Sequence, residues 1–310
     1  MTATYVLALM IGAGICTVLF AWELRRAGLK PTVAWASLPL TLTLGFLMSK
    51  ILYFVLELRD QLVRYDGVGG LFSIVPREFS FIGGCIGVIG AVILAAKIKD
   101  QKVLPVLDAF APCGALMAAI TRACEGLLEP MDMVGLGGFV ADERLWFFPV
   151  SIEIEMLYSW FYAVFMLEAT LSLVCALVSF VVSHHGRFAP GRAFLHTMFF
   201  LALPQIFSEQ MLGQCMAWGF IRIEQLLCAL IVFGILLYAC ILRKKAVAFI
   251  PAAGCLLCTA VVVWMEFTLD NKLLFGIEFP TLVCYVIMIA ALCGMAGLTL
   301  YSYHQLNKAE

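Results

Sequence analysis

Long apolar runs separated by short polar stretches organise this sequence. Nine such runs occur. The length of most of them is close to that of a membrane-spanning helix, which needs about 20 apolar residues. They cover residues 4–23, 32–58, 79–96, 103–122, 156–183, 193–207, 221–242, 247–267 and 280–302. Because unpaired backbone groups are costly in lipid, such runs favour helices. The pattern therefore predicts an all-α, polytopic integral membrane protein with about nine transmembrane helices.

The connections between the runs are short, with one exception at residues 125–155. That connection is rich in glycine and acidic residues, and it contains the aromatic group Trp146, Phe147 and Phe148. Aromatic side chains of this kind are enriched where a membrane meets water. We therefore expect residues 125–155 to form a loop at the membrane surface.

Basic residues concentrate in alternate connections, which predicts the orientation of the chain. The richer set contains Arg25, Arg26, Lys30, Lys97, Lys99, Lys102, Arg187, Arg192, Arg243, Lys244, Lys245 and Lys308. Loops rich in Lys and Arg usually face the cytoplasm. The pattern predicts a multi-pass protein with the N-terminus and the 125–155 loop outside and the C-terminus in the cytoplasm.

Composition agrees with a membrane protein and excludes several classes of partner. Hydrophobic residues make up 63% of the chain and charged residues 13%, against roughly 25% charged in a soluble domain. The net charge of −1 argues against nucleic acid, which requires a basic surface. The pair Cys255 and Cys258 lies in an apolar run, where cysteine usually packs as a small hydrophobe. We expect no metal and no organic cofactor.

Ionisable residues inside the apolar runs are the candidates for function, because charge in a membrane is costly and usually faces the protein interior. With the predicted orientation, several of them lie toward the outer leaflet: Lys50, Arg122, Glu125, Glu209, Arg222 and Glu224. In one interpretation they line a polar cavity, where a cation holds a lipid phosphate and a carboxylate takes a proton. In the other they form ion pairs that only hold helices together. Asp108, near the inner end of the fourth run, is expected to cap or pack a helix.

Two stretches of the sequence contain motifs that resemble those of one known family. The first is Ser80-Phe-Ile-Gly-Gly-Cys-Ile-Gly87, followed by a basic turn and by Asp108-Ala-Phe-Ala-Pro112. The second is Thr121-Arg-Ala-Cys-Glu-Gly126. They resemble the Ser-Phe-His-Gly-Gly-x-x-Gly, Asp-x-x-Ala-Pro and Gly-Arg-x-Gly-Asn-Phe motifs of the prolipoprotein diacylglyceryl transferases. Glycines such as Gly83, Gly84 and Gly87 allow helices or lipid chains to approach closely.

The resemblance implies a division of the chain and a reaction. It extends over residues 1–245, a helical core with seven spans, and leaves 246–310 as an additional helical pair. The family transfers a diacylglyceryl group from phosphatidylglycerol to the lipobox cysteine of a preprolipoprotein. Ile82 occupies the family's histidine position, Lys50 and Gln205 occupy two arginine positions, and Glu125 replaces the signature asparagine.

These departures set the roles that the resemblance implies. Arg122, Glu125 and Glu209 are the candidate catalytic residues, with a carboxylate replacing the absent histidine as base. Lys50, Arg122 and Arg222 are the candidate ligands of the lipid phosphate. The leading hypothesis is a transferase that uses a phosphatidylglycerol-like lipid and a preprolipoprotein signal peptide or a related acceptor. The alternatives are an inactive homologue that binds or moves lipid, and a small-solute transporter.

Overall fold

The computed structural model describes residues 3–185, 189–213, 216–218, 221–243, 249–269 and 279–307. Ten α-helices and five short strands occur in these described parts of the chain. The helices are α1 (Ala3–Arg26), α2 (Thr32–Leu56), α3 (Leu58–Arg64), α4 (Phe81–Ile98), α5 (Val103–Cys124), α6 (Val164–His185), α7 (Arg192–Met211), α8 (Ile223–Arg243), α9 (Ile250–Leu269) and α10 (Thr281–Asn307). The strands are β1 (Leu136–Phe139), β2 (Ser151–Ile154), β3 (Ser159–Ala163), β4 (Ala217–Trp218) and β5 (Ile221–Arg222).

Eight helices are long and apolar enough to cross a membrane, and they are α1, α2, α4, α5, α6, α8, α9 and α10. The predicted class, a polytopic helical membrane protein, is confirmed, with eight such helices in the described residues rather than nine. The sixth predicted span is helical, as α7, but it does not reach the same hydropathy. Arg192, His196, Gln205 and Glu209 lie in α7 and lower its apolar content.

The predicted start of the fifth span at residue 156 is wrong. Residues 159–163 form β3, which is the central strand of a three-stranded antiparallel sheet between β1 and β2. The membrane helix α6 begins only at Val164. The aromatic residues of β3 make this segment apolar, as a membrane span would be, but aromatic residues are also favoured in strands. The 125–155 connection is therefore part of a small folded sheet.

The chain divides into two compact units, and the first comprises Met1–Leu201 and Met211–Glu224. Its apolar core is formed by residues of α1, α2, α4 and α5, among them Phe20, Leu24, Val33, Val92 and Val106. The small sheet belongs to this unit and is joined to the chain after α7 by a hydrogen bond from Gly213 N to Leu136 O (2.9 Å).

Close packing of α4 against α2 depends on glycine. A Cβ atom on Gly83 would lie 2.7 Å from Met48 O, and one on Gly87 would lie 2.8 Å from Gly45 Cα and overlap the Leu44 carbonyl. Gly84 is less crowded, since its Cβ would meet Ser49 at an ordinary 3.8 Å. The two helix backbones therefore approach to a distance that larger residues at 83 and 87 would prevent.

The second unit comprises Ala202–Gln210 and Gln225–Glu310. Here α9 packs on α10, with Gly254 directly against Leu298. The thiol of Cys255 points to the carbonyl of Met295 on α10 at 3.9 Å.

The predicted orientation rests partly on residues outside the described ones, namely Arg187, Lys244, Lys245 and Lys308. The orientation therefore stays a prediction.

Candidate functional site

Arg122, in the last turn of α5, is the centre of a buried polar cluster. Its Nη1 donates to Glu125 Oε1 at 2.7 Å, and its Nε lies 2.7 Å from Glu168 Oε2 on α6. The guanidinium also lies over the ring of Phe81, 4.3 Å from the centroid. Only 5% of Arg122 is exposed, so these contacts replace water as its environment. Such pairing is what a buried guanidinium requires.

Glu125 joins this cluster to the 125–155 connection, which follows α5. Its second oxygen, Oε2, accepts a hydrogen bond from Gly135 N at 2.9 Å. A Cβ atom at Gly135 would lie 2.7 Å from that oxygen and 2.5 Å from Phe165 Cβ. Glycine at 135 is therefore needed for the backbone to reach the carboxylate. Glu125 both pairs with Arg122 and fixes the start of β1.

Glu224 adds a third carboxylate near the same arginine. Its Oε1 accepts from Ser80 Oγ (2.7 Å) and from Phe81 N (3.1 Å), at the N-terminus of α4. It also interacts electrostatically with Arg122. A carboxylate at a helix N-terminus is stabilised by the helix dipole. One cation thus faces three carboxylates, an excess of two negative charges when all are ionised.

One nitrogen of Arg122 has no partner among the residues that the structure describes. Nη1 donates a hydrogen bond and Nε makes an ion-pair contact with Glu168 without hydrogen-bond geometry, whereas Nη2 has neither kind of partner among the described residues. A guanidinium carries five N–H donors in a planar fork, and this fork suits a phosphate. The cluster can therefore hold the arginine rigidly while one edge contacts a ligand.

Lys50 lies in a separate network. Its Nζ donates to Glu78 Oε2 and to Ser73 Oγ, each at 2.8 Å. Glu78 is only 1% exposed and also accepts from Tyr65 Oη (2.8 Å), Arg64 Nη1 (3.3 Å) and the Ser73 hydroxyl. Burial raises the pKa of Glu78, but the hydrogen bonds from Lys50, Ser73 and Tyr65 outweigh it and lower the pKa to about 2. Lys50 is thus neutralised by an ionised carboxylate.

The remaining predicted site residues lie elsewhere. Arg222, on β5, donates from Nη1 to Leu212 O at 3.3 Å. Glu209 is buried in the second unit, where Gln205 Nε2 donates to its Oε1 at 3.3 Å. The structure therefore brings Arg122 together with Glu125, while the predicted convergence of Lys50, Arg122 and Glu209 stays a prediction.

The structure also shows the surroundings of two residues from the family-like motifs, Ile82 and Asp108. Ile82, at the position where the similar family has histidine, is 5% exposed. Asp108 accepts hydrogen bonds from Gly191 N (2.6 Å) and Phe194 N (2.9 Å), so it caps the N-terminus of α7 from a neighbouring helix. Asp108 is thus held by backbone groups of another helix.

Sequence reasoning missed the partner of Lys50. Glu78 lies 28 residues away, in the connection between α2 and α4. The available signal was an acidic residue directly before an apolar run that starts with Phe79 and Ser80. Among the described residues, no group of three or more His, Cys, Asp or Glu side chains is placed to hold a metal ion.

Comparison with known proteins identifies one family. The family model for prolipoprotein diacylglyceryl transferase matches residues 2–241, which is more than half of the chain. No curated protein matches the sequence. The matched range contains both buried networks and α1–α7, and it ends within α8.

Proposed function

Because this chain belongs to the prolipoprotein diacylglyceryl transferase family, we propose that it moves a diacylglyceryl group from phosphatidylglycerol to the cysteine thiol of a lipobox. In this reaction the thiolate sulfur attacks the terminal glyceryl carbon of the donor. A carbon–sulfur bond forms, the bond from that carbon to the phosphate oxygen breaks, and glycerol phosphate leaves. The thiol proton passes to a base. The reaction thus needs a cation at the phosphate and a proton acceptor.

The single observation that carries the proposal is the set of contacts that the three guanidinium nitrogens of Arg122 make. Glu125 and Glu168 hold two of its nitrogens, and Nη2 has no partner among the described residues. An arginine oriented in this way can bind the donor phosphate and stabilise the charge that develops as glycerol phosphate leaves. Holding the guanidinium in place before the lipid arrives removes the cost of ordering it later.

The proton is assigned to a carboxylate, because Ile82 cannot accept one. Glu125 is the first choice, since it contacts Arg122 directly at 2.7 Å. Glu209 is the second choice. Among the phosphate ligands, Arg122 comes first and Arg222 second. Lys50 would contact a phosphate only after its pair with Glu78 opened.

The location and organisation of the protein belong to the same proposal. We place the transferase core at residues 1–245 and the additional helical pair at 246–310, which is supported by a family match that ends at residue 241. The protein is a multi-pass membrane protein. We place it in the bacterial cytoplasmic membrane, with the N-terminus outside and the C-terminus in the cytoplasm.

A second candidate function is favoured by a different observation. Three carboxylates surround Arg122, and a phosphate placed there would meet their negative charge. Ile82 also removes the family's histidine from the site. These features favour a homologue that binds or moves lipid without catalysing the transfer.

One assay separates the two functions. The purified protein is reconstituted with phosphatidylglycerol and incubated with a peptide that carries a lipobox cysteine, and the peptide mass is measured. A transferase adds the mass of one diacylglyceryl group, and a peptide with serine in place of that cysteine gains nothing.

Variants test the role of Arg122. Arg122→Gln should abolish the product, while Arg144→Gln, an exposed arginine in the 125–155 connection, should leave it unchanged. Size-exclusion chromatography checks that both variants remain folded, and Arg122→Lys serves as a conservative variant. No product together with Arg122-dependent lipid binding would support the second candidate. A product that persists in a folded Arg122→Gln variant would refute the assigned role.

A further inference from the structure

The connection between α2 and α4 exposes an unusual amount of apolar side chain. Phe72 is 83% exposed, Val63 79% and Ile74 63%. Residues 57–80 link two helices of membrane-spanning length, so this connection lies at the membrane surface. We call residues 57–80 the α2–α4 connection. Large exposed apolar groups next to lipid-facing helices are typical of contact with the bilayer.

The α2–α4 connection is held rigidly by buried polar contacts. Glu78 accepts from Lys50 of α2 and from Tyr65 and Ser73 within the connection, so it ties the connection to α2. Gly70 packs so closely that a Cβ atom there would lie 2.5 Å from Gln61 Oε1. The apolar side chains are therefore presented by a fixed backbone.

One cation in this connection lacks a partner. The Nε of Arg77 is buried, and the Arg77 side chain has no hydrogen bond or ion pair with any described residue. Its neighbour Glu78 does not serve it, because both oxygens of that carboxylate accept from other groups. Arg77 as a whole is half-buried, and a guanidinium N–H that lacks both water and a partner is costly; this cost is recovered when an acceptor binds.

The exposed apolar side chains and the unpartnered arginine match the two chemical parts of a phospholipid, its acyl chains and its phosphate. Phe72 and Ile74 are exposed apolar groups, and Arg77 follows Ile74 by three residues. An acyl chain requires an apolar contact, and the phosphodiester of a phospholipid requires a guanidinium. The connection also carries the exposed acids Asp60 and Asp66, so it has no general excess of positive charge that would attract any anion.

We propose that the α2–α4 connection is a phospholipid-binding surface, in which Arg77 binds the lipid phosphate while Phe72 and Ile74 enter the acyl region. Arg77, Phe72 and Ile74 are not members of the Arg122 cluster, and the proposal does not depend on the proposed transferase reaction. It would hold a phospholipid at the edge of the protein.

A photocrosslinking experiment tests the proposal at the site itself. A benzophenone amino acid replaces Phe72 in the full chain, which is reconstituted with equal amounts of phosphatidylglycerol and diacylglycerol. After illumination, mass spectrometry measures the ratio of the two lipid adducts. The two lipids share acyl chains and differ in the phosphate headgroup, so the ratio reports recognition of the phosphate.

The expected result is an excess of phosphatidylglycerol adducts that Arg77→Gln reduces about tenfold, the lower range for loss of a hydrogen bond to a charged group. Arg59→Gln, which removes an exposed arginine of the same connection, should leave the ratio unchanged. Equal effects of the two variants, or an absence of lipid adducts, would overturn the proposal.

A further arm distinguishes a lipid from a free anion. Excess inorganic phosphate that removes the phosphatidylglycerol preference would indicate a site for small anions, and it would overturn the lipid assignment. A preference that survives it supports the proposal. The experiment contains no acceptor peptide, so a failure of the transferase reaction leaves its result unaffected.

Discussion

The pair between Lys50 and Glu78 should make a large contribution to stability, and Glu78→Gln tests this directly. The substitution keeps the shape of the side chain but leaves the Lys50 ammonium, which is only 2% exposed, without its counter-charge. Removing one partner of a buried pair costs about 3–5 kcal/mol. The fall of the Glu78 pKa from 4.5 to about 2 corresponds to about 3 kcal/mol. We therefore expect a loss of about 3 kcal/mol.

The assay is reversible unfolding in mixed detergent micelles, followed by circular dichroism. A double-mutant cycle with Lys50→Met isolates the pair, because the double variant removes both charges together. The double variant should be more stable than the sum of the single effects predicts, by about 2 kcal/mol.

Glu57→Gln is the matched control, since it neutralises a carboxylate of the same connection. Burial, followed by the nearby Asp60, raises the pKa of Glu57, so neutralising it should not destabilise the protein. A loss below about 0.5 kcal/mol for Glu78→Gln, the usual range of surface substitutions, would show that the pair with Lys50 does not make this contribution.

Three further predictions concern pH, packing and capping. Because the folded-state pKa of Glu78 is lowered, its contribution to the free energy of unfolding is complete above pH 4.5 and is lost as the pH falls toward about 2. The free energy of unfolding, measured across this range, should therefore fall less in Glu78→Gln than in the wild type. Gly87→Ala should lower stability by about 1–3 kcal/mol because α2 blocks the added methyl group, whereas Gly90→Ala, which faces open space, should not; equal thermal shifts would contradict this. Asp108→Ala should cost about 1 kcal/mol and increase hydrogen exchange at the first turn of α7, and unchanged exchange there would contradict the capping role.

The sequence predicted the membrane helices well because hydropathy acts over long runs. It failed at the start of α6, where aromatic residues of β3 continued the apolar run without any break. Pairing of β3 with β2 depends on contacts across the chain, and hydropathy does not record them. The lower hydropathy of α7 has a local cause in its polar residues, which were visible in the sequence.

Some contacts of the candidate residues follow from sequence spacing and others do not, and the roles of these residues stay predictions. The pair of Arg122 with Glu125 follows from a spacing of three residues on one helix end. Lys50 and Glu78 are separated by a folded connection, so the sequence offered no spacing rule to join them. Asp108 and Glu224 each contact the N-terminus of a helix other than their own, and these contacts likewise depend on how the helices pack together.

Product stoichiometry tests the proposal that this family member transfers a diacylglyceryl group at Arg122. Reconstituted protein is incubated with phosphatidylglycerol and a lipobox peptide, and both the thioether peptide and free glycerol phosphate are quantified over time. We expect the two products to appear in equal amounts with the wild type and neither to appear with Arg122→Gln. Glycerol phosphate released without thioether peptide, or neither product from the folded wild type, would contradict it.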